Sequence, residues 1–225
     1  IPGIEILSAA RHGNKLKPGH LTGNRFTLVL REIAPEHVAT IRARLLSAGA
    51  TGVPNAFGPQ RFGRDGDNPE RALAWLAGKI RGPRDKRDQR LIFSALQSKL
   101  FNQVLALRVD NGTFAHVLAG DLAKKHDTGG LFLVPLEGPE LDDACARAEA
   151  AALSATGPMF GCKMRWPEGA PLAMEREVLA SSGVSEAHLE AFRHLGEGTR
   201  RSLRMLVDAM TVDDAPPCEV LQGAE

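Results

Sequence analysis

Cysteine is scarce in this chain, and its scarcity excludes two classes of protein. The 225 residues contain three cysteines, Cys145, Cys162 and Cys218, which are too few and too widely spaced for a disulfide framework. No Cys-x-x-Cys pair offers the usual ligands of a zinc site. We therefore expect reduced thiols, a cytoplasmic protein and no bound metal.

Long apolar runs and an excess of one charge are also lacking. No apolar stretch approaches the roughly 20 residues needed to cross a bilayer, and no signal or transit segment opens the chain. The 28 basic and 27 acidic residues leave a net charge of +1, so no global field attracts nucleic acid. We expect no membrane association, and any anionic partner must be held by local basic patches.

Several common catalytic motifs are absent as well. The chain has neither the phosphate-binding G-x-x-x-x-G-K-[ST] loop nor the G-x-S-x-G nucleophile turn. His188 and Glu190 form an H-x-E pair like that of zinc deaminases, but no P-C-x-x-C follows. The sequence therefore excludes these enzyme classes.

The patterns that are present mix helices with strands. Apolar periodicity predicts strands at residues 4–7, 26–33, 131–134 and 203–212, and helices starting at Pro35 and Asn68 and over residues 89–109, 172–180 and 185–195. No regular βαβ alternation is visible, which favours the α+β class. A helix-rich middle between strand-bearing ends indicates an inserted domain whose two flanks pack together.

Basic residues in glycine-rich loops are the first candidates for binding. Arg11, Lys15 and Lys17 lie among glycines, where cations and backbone N–H groups can face a phosphate chain together. Asn24 can read the edge of an unpaired base, and Phe26 can stack on it. On spacing alone, a solvated basic hairpin with Phe26 in the core is favoured over this interpretation.

Three further basic clusters follow along the chain. In Asn55-Ala-Phe-Gly-Pro-Gln-Arg-Phe-Gly63, Arg61 lies between two aromatics and suits a phosphate or a base, whereas the alternative is a packed turn. The other two are Lys79, Arg81, Arg84, Lys86, Arg87 and Arg90, and Arg200, Arg201 and Arg204. Such runs are usually solvated faces, but they can also bind an RNA backbone.

A family resemblance adds to this interpretation. The chain resembles the TruD family of tRNA pseudouridine synthases, and the matching segments follow the family's order. They are Arg11-His-Gly-Asn-Lys-Leu-Lys17, Leu21-Thr-Gly-Asn-Arg-Phe-Thr-Leu-Val-Leu-Arg31, Gly52-Val-Pro-Asn-Ala-Phe-Gly-Pro-Gln-Arg-Phe-Gly63, Ser94-Ala-Leu-Gln-Ser-Lys-Leu-Phe-Asn-Gln-Val104, Gly120-Asp121, Thr156-Gly-Pro-Met-Phe-Gly161 and Gly198-Thr-Arg-Arg-Ser-Leu203. The N-x-F-G-x-Q-R-F-G stretch is highly specific.

The resemblance implies isomerisation of uridine to pseudouridine in tRNA, at position 13 in the family. It implies tRNA as the partner, no cofactor and no protein partner. It also implies a pseudouridine synthase catalytic domain interrupted by a helix-rich insertion domain. On that view residues 1–41 and 185–225 are parts of the catalytic domain, and 42–184 form the insertion.

The resemblance also implies roles for particular residues. Asn24 and Phe26 match the G-N-x-F motif, whose Asn contacts the substrate near the catalytic aspartate. The family's nucleophilic Asp lies upstream of the Arg11 segment, so no catalytic residue is assigned in this chain. Asp85 and Asp88 sit in a similar-looking stretch but belong to the implied insertion, and neither is assigned as nucleophile.

Three hypotheses follow. The chain is the central part of a TruD-type enzyme, inactive alone because the nucleophile and the family's aromatic closing segment are missing. Alternatively, it is a non-catalytic tRNA-binding or RNA-binding module, which needs the basic clusters but no carboxylate. A third option is a degenerate globular remnant without a ligand.

Overall fold

A computed structural model describes residues 11, 13, 15 and 23–214 of the chain. The predicted strand at residues 4–7, the candidate Lys17 and the final segment 215–225 lie outside the described residues. The chain divides into two compact units, one of residues 1–38 with 213–225, and one of residues 39–212. Each unit is considered by itself below.

The elements alternate irregularly between helix and strand, which confirms the α+β class. In chain order they are α1 (Pro35–Thr51), β1 (Val53–Pro54), a 3-10 helix (Pro59–Phe62), α2 (Asn68–Leu76), α3 (Lys86–Asp110), β2 (Leu122–Lys125), β3 (Leu131–Leu133), α4 (Pro139–Glu149), β4 (Leu153–Met159), α5 (Gly169–Ser181), α6 (Glu186–Ala191), β5 (Thr199–Ser202) and β6 (Arg204–Met205).

The sheets are antiparallel throughout the described residues. One has four strands in the order β3-β2-β4-β5, and the other pairs β1 with β6. β4 is central, and all seven of its residues are buried. Gly157 of β4 lies so close to Phe101 and Leu203 that an added Cβ would come within 2.9 and 2.8 Å of their side chains. Helix α3 therefore packs directly on the backbone of β4.

Helix α3 is the core of unit 39–212, as its long apolar pattern predicts. Ile92, Phe93 and Leu96 join an apolar cluster with α2 and α5, while Phe101 and Leu105 join a second cluster with the sheet. A helix that is apolar around much of its circumference is typical of such a buried position. Leu91, part of the same apolar pattern, is 49% exposed because it lies on the side of α3 that faces solvent, whereas Ile92 beside it is buried.

The strand predicted at residues 26–33 is wrong, and the one predicted at 203–212 is confirmed only at its start. Residues 23–31 form no helix or strand, and Phe26 and Leu28 are 77% and 80% exposed. A strand needs a hydrogen-bonding neighbour, and no described strand pairs with this segment. Within residues 203–212 only β6 forms, and Met205 is 52% exposed whereas Leu203 is buried.

Candidate nucleic-acid interface at the Asn55–Gly63 loop

The loop from Asn55 to Gly63 is held in a defined shape by side chains of neighbouring elements. The backbone N–H of Phe57 donates to Asn102 Oδ1, and Asn102 Nδ2 donates back to the carbonyl of Phe57, both at 2.9 Å. Asn102 lies on α3, and its side-chain amide makes the two hydrogen bonds that the backbone of a neighbouring strand would otherwise make with Phe57. The Phe57 ring packs edge-on against Phe101, with 5.6 Å between ring centroids.

The start of the loop is hydrogen-bonded to β5 and to Leu203, which follows it. The Asn55 N–H donates to the Leu203 carbonyl at 2.9 Å, and Asn55 Nδ2 donates to the Ser202 carbonyl at 2.8 Å. Its backbone oxygen accepts from Arg201 at 3.3 Å. These bonds fix Arg201 beside the loop.

Two arginines meet at the Phe57 ring. The guanidinium carbon of Arg201 lies 4.1 Å from the ring centroid, and that of Arg61 lies 5.4 Å from it. Arg61 Nε donates to Ser98 Oγ at 3.0 Å. The two terminal nitrogens of Arg61 form no hydrogen bond with a described residue. We call this arrangement the paired-arginine site.

The paired-arginine site is a place where positive charge is not compensated. No described carboxylate forms an ion pair with Arg61 or Arg201. Burial first, and then the charge of Arg61, lower the pKa of the Arg201 guanidinium. Arg201 bonds to Asn55 through its Nε and Nη2, so its Nη1 and the two terminal nitrogens of Arg61 are the donors left for a phosphate. The charge of a phosphate would offset the repulsion between the two guanidinium groups.

Comparison with known proteins identifies the family. The family model of tRNA pseudouridine synthase D (TruD) matches residues 1–79 and 84–221. The chain belongs to the TruD family. It is 41% identical over 211 residues to a tRNA pseudouridine synthase D of Anaeromyxobacter sp. (strain Fw109-5), covering 92% of this chain and 58% of that protein.

Two further TruD proteins are similar to the chain. A tRNA pseudouridine synthase D of Thermus thermophilus is 42% identical over 217 residues, covering 96% of this chain and 58% of the relative. A crystal structure of a putative TruD from Methanosarcina mazei has the same fold, with a TM-score of 0.60 at 18% identity over 77% of this chain and 57% of that one. The chain thus spans about three fifths of the length of these curated relatives.

The predicted TruD site residues are distributed over both units. Arg11, Lys15, Asn24 and Phe26 lie in the unit of residues 1–38, and each is exposed. Arg61 lies in the unit of residues 39–212 and is half-buried. Their roles in substrate binding remain predictions, as does the division of the chain at residues 41 and 184.

Arg201 is the member of the paired-arginine site that sequence reasoning did not connect with Arg61. Both were recognised as basic residues in TruD motifs, but 140 residues separate them. The alternation of side chains along a strand could have distinguished the two arginines of this motif. Arg200 and Arg201 are consecutive in β5, so their side chains point to opposite faces of the sheet. Only one of the two can face the loop.

The prediction of an exposed basic site at Arg200 and Arg204 is wrong. Arg200 forms a bidentate ion pair with Glu175, and both side chains are buried. Arg204 is buried and donates to Ser154 Oγ at 2.8 Å and to the Leu153 carbonyl at 2.8 Å. The partners of these arginines are supplied by distant elements, so the local pattern of charges does not reveal them.

Other TruD motif residues serve the fold. Asp121, after Gly120, is buried and accepts from Arg108 of α3 at 2.9 Å. An added Cβ on Gly161 would lie 2.2 Å from the backbone nitrogen of Gly198, so the two glycines allow two chain segments to touch. These motifs therefore fix the framework around the paired-arginine site.

Asp85 and Asp88 take no part in a catalytic arrangement among the described residues. The Asp85 carboxylate accepts the backbone N–H groups of Arg87 and Asp88 and caps α3. In the described part of the chain, no three His, Cys, Asp or Glu residues are grouped as a metal site would require. Residues 11, 13, 15 and 23–214 contain no helix with the length and hydropathy to cross a membrane.

Proposed function

We propose that this chain is the tRNA-binding central part of a tRNA pseudouridine synthase that isomerises uridine to pseudouridine, at position 13 as in its family. The observation that carries the proposal is the uncompensated pair Arg61 and Arg201 around Phe57, of which Arg61 and Phe57 lie within the most specific TruD motif. A cytoplasmic location follows from a tRNA substrate and forms part of the proposal.

The reaction determines which groups are needed. The N1–C1′ glycosidic bond breaks, the uracil rotates, and C5 bonds to C1′. The proton on C5 is released to solvent and N1 takes up a proton, so that the product is an isomer of uridine. The uridine must leave its stack before this can happen, so the enzyme needs an aromatic surface and polar groups for the flipped base. We assign these two roles to Phe26 and Asn24, both of which are exposed.

A carboxylate must also begin glycosidic cleavage, by attacking the sugar or by removing a proton. In the proposal, this Asp precedes the Arg11 segment and is not among the residues of this chain. Arg11, Lys15, Lys17 and Arg61 then contribute to tRNA binding through phosphates. The chain alone is expected to bind tRNA and to leave uridine unchanged.

Release of tritium from tRNA labelled at uracil C5 tests the activity. A form extended at both ends to the length of the Thermus relative should release tritium, whereas the 225-residue chain should release none. Turnover by the unextended chain would show that the nucleophile lies within it. If the extended form binds tRNA but releases no tritium, the chain belongs to a non-catalytic RNA-binding module.

A further inference from the structure

A strongly basic surface lies before and at the start of α3, away from the paired-arginine site. All six of its cations are exposed, and none forms an ion pair with a described carboxylate. They are Lys79, Arg81, Arg84, Lys86, Arg87 and Arg90. We call these six residues the α3 basic surface.

The two acidic residues in this segment serve the helix. Asp85 accepts two backbone N–H groups as the cap of α3, and Asp88 lies in the first helical turn. Negative charge is favourable at that end because the helix dipole is positive there. Six cations against two carboxylates leave a net charge of +4 within residues 79–90.

The segment before α3 has a fixed conformation. Gln89 Nε2 donates to the Pro83 carbonyl at 2.7 Å, which ties the helix to the segment before it. Gly82 packs against Trp75 so closely that an added Cβ would lie 2.2 Å from the indole Cε2. Because the backbone is already ordered, a ligand need not immobilise a flexible loop in order to bind these cations.

Several other cations of the unit of residues 39–212 differ from the α3 basic surface in having carboxylate partners. Three of them are engaged by carboxylates, in the pairs Arg147–Asp143, Lys163–Glu197 and Arg193–Glu190. Their charge is therefore compensated locally. The α3 basic surface offers the same residue types without such partners, so its charge is available to a ligand.

We propose that the α3 basic surface binds the phosphate backbone of tRNA at a second place, distinct from the paired-arginine site. This inference rests on the proposed function and adds a second phosphate-binding surface to it. Arg61 bonds to Ser98, and Arg87 lies eleven residues earlier on α3, so about 16 Å of helix axis separates the two sites. A folded tRNA is large enough to contact both.

A matched pair of triple variants tests the inference. Arg84→Gln, Arg87→Gln and Arg90→Gln remove three charges from the α3 basic surface. Arg147→Gln, Lys163→Gln and Arg193→Gln remove the same charge from cations that already have partners. Affinity for tRNA would be measured for both variants between about 50 and 200 mM salt, by filter binding on the unextended chain.

We expect the first triple variant to bind tRNA about tenfold or more weakly than the unmodified chain, and its salt slope to fall by about 2 in magnitude. The control triple variant should keep the slope of the unmodified chain. Equal slopes for the two variants, or unchanged affinity in the first, would overturn the inference.

A second readout separates this inference from the proposed function. Trp75 and Trp166 are the two tryptophans, so Trp166→Phe leaves Trp75, beside Gly82, as the single fluorophore. tRNA should change its emission, and the first triple variant should lose that change at matched concentrations. If the unmodified chain binds no tRNA at all, the proposed function fails; if it binds but Trp75 emission stays constant, only this inference fails.

Discussion

The Glu175 carboxylate on α5 accepts two hydrogen bonds from the Arg200 guanidinium on β5, at 2.6 and 2.8 Å. Both side chains are at most 4% exposed. We expect Glu175→Gln to lower the free energy of unfolding by about 3–5 kcal/mol, because it leaves the arginine charge buried without its counter-ion. Urea unfolding measures this change.

A matched control is Glu197→Gln, which removes the carboxylate of the exposed pair with Lys163. Its urea midpoint should not change measurably, since water screens an exposed pair. Equal midpoints for the Glu175 variant and the unmodified chain would contradict a stabilising role for the buried pair.

His126 makes the stability of the fold depend on pH. Its Nε2 lies 2.8 Å from Ser154 Oγ, and Ser154 Oγ accepts from Arg204 Nε. The serine hydroxyl hydrogen is therefore available to an unprotonated Nε2. Burial first, and then the charge of Arg204, lower the pKa of His126.

In the folded chain the pKa of His126 lies below its ordinary value of about 6.5. The contribution of His126 to the free energy of unfolding is therefore fully present above about pH 6.5 and is lost as the pH falls through the folded pKa. The free energy of unfolding, measured from about pH 7.5 to 5, should therefore decline more steeply for the unmodified chain than for His126→Gln. Parallel curves would contradict this prediction.

Two glycines of the N-x-F-G-x-Q-R-F-G motif are expected to differ in tolerance. Gly63 has φ +96° and ψ 176°, and an added Cβ would lie 2.7 Å from Asn68 Nδ2. Gly63→Ala should cost on the order of 1–3 kcal/mol, because side chains rarely adopt this backbone conformation. Gly58 has φ −80° and open space at its Cβ position, so Gly58→Ala should leave the thermal midpoint nearly unchanged.

The paired-arginine site gives a direct prediction for binding. Arg61→Gln should weaken tRNA binding about tenfold or more, because hydrogen bonds to a charged group contribute roughly 1.5–3 kcal/mol. Arg61→Lys keeps the charge but not the planar fork, so its effect should be intermediate. Lys99→Gln is the control, since Lys99 follows Ser98 on α3 and is already paired with Glu70. Equal losses in all three variants would argue against a specific contact.

The elements that were predicted correctly are those whose pattern lies within one continuous stretch of sequence. Helix α3 is long, and its apolar residues recur at helical spacing, so it can be recognised from the sequence without knowledge of its packing partners. Ser185 likewise marks the start of α6 as an N-cap, and in the structure His188 completes a capping box with it. The family motifs were recognisable because their residue types are specific, wherever they lie in the fold.

The missed elements depend on tertiary contacts. β4 contains Gly157 and Pro158, which local propensity disfavours in strands, yet it is central because the glycine admits Phe101 and Leu203. β2 and α4 were not predicted, since four residues and a short alanine-rich stretch carry little periodicity. Burial of Arg200 could not be foreseen without knowing that Glu175 lies opposite it.

The pairing of β1 with β6 brings the two ends of unit 39–212 side by side. Val53 pairs with Met205, and Gly49 packs against Met210. A short linker joining residue 212 to residue 39 would therefore span little distance, and the exposed chain at Arg84 offers a place for new termini. We expect such a circular permutant of this unit to fold with its paired-arginine site intact. The permutation changes the order of the elements along the chain, but it retains every contact around Phe57.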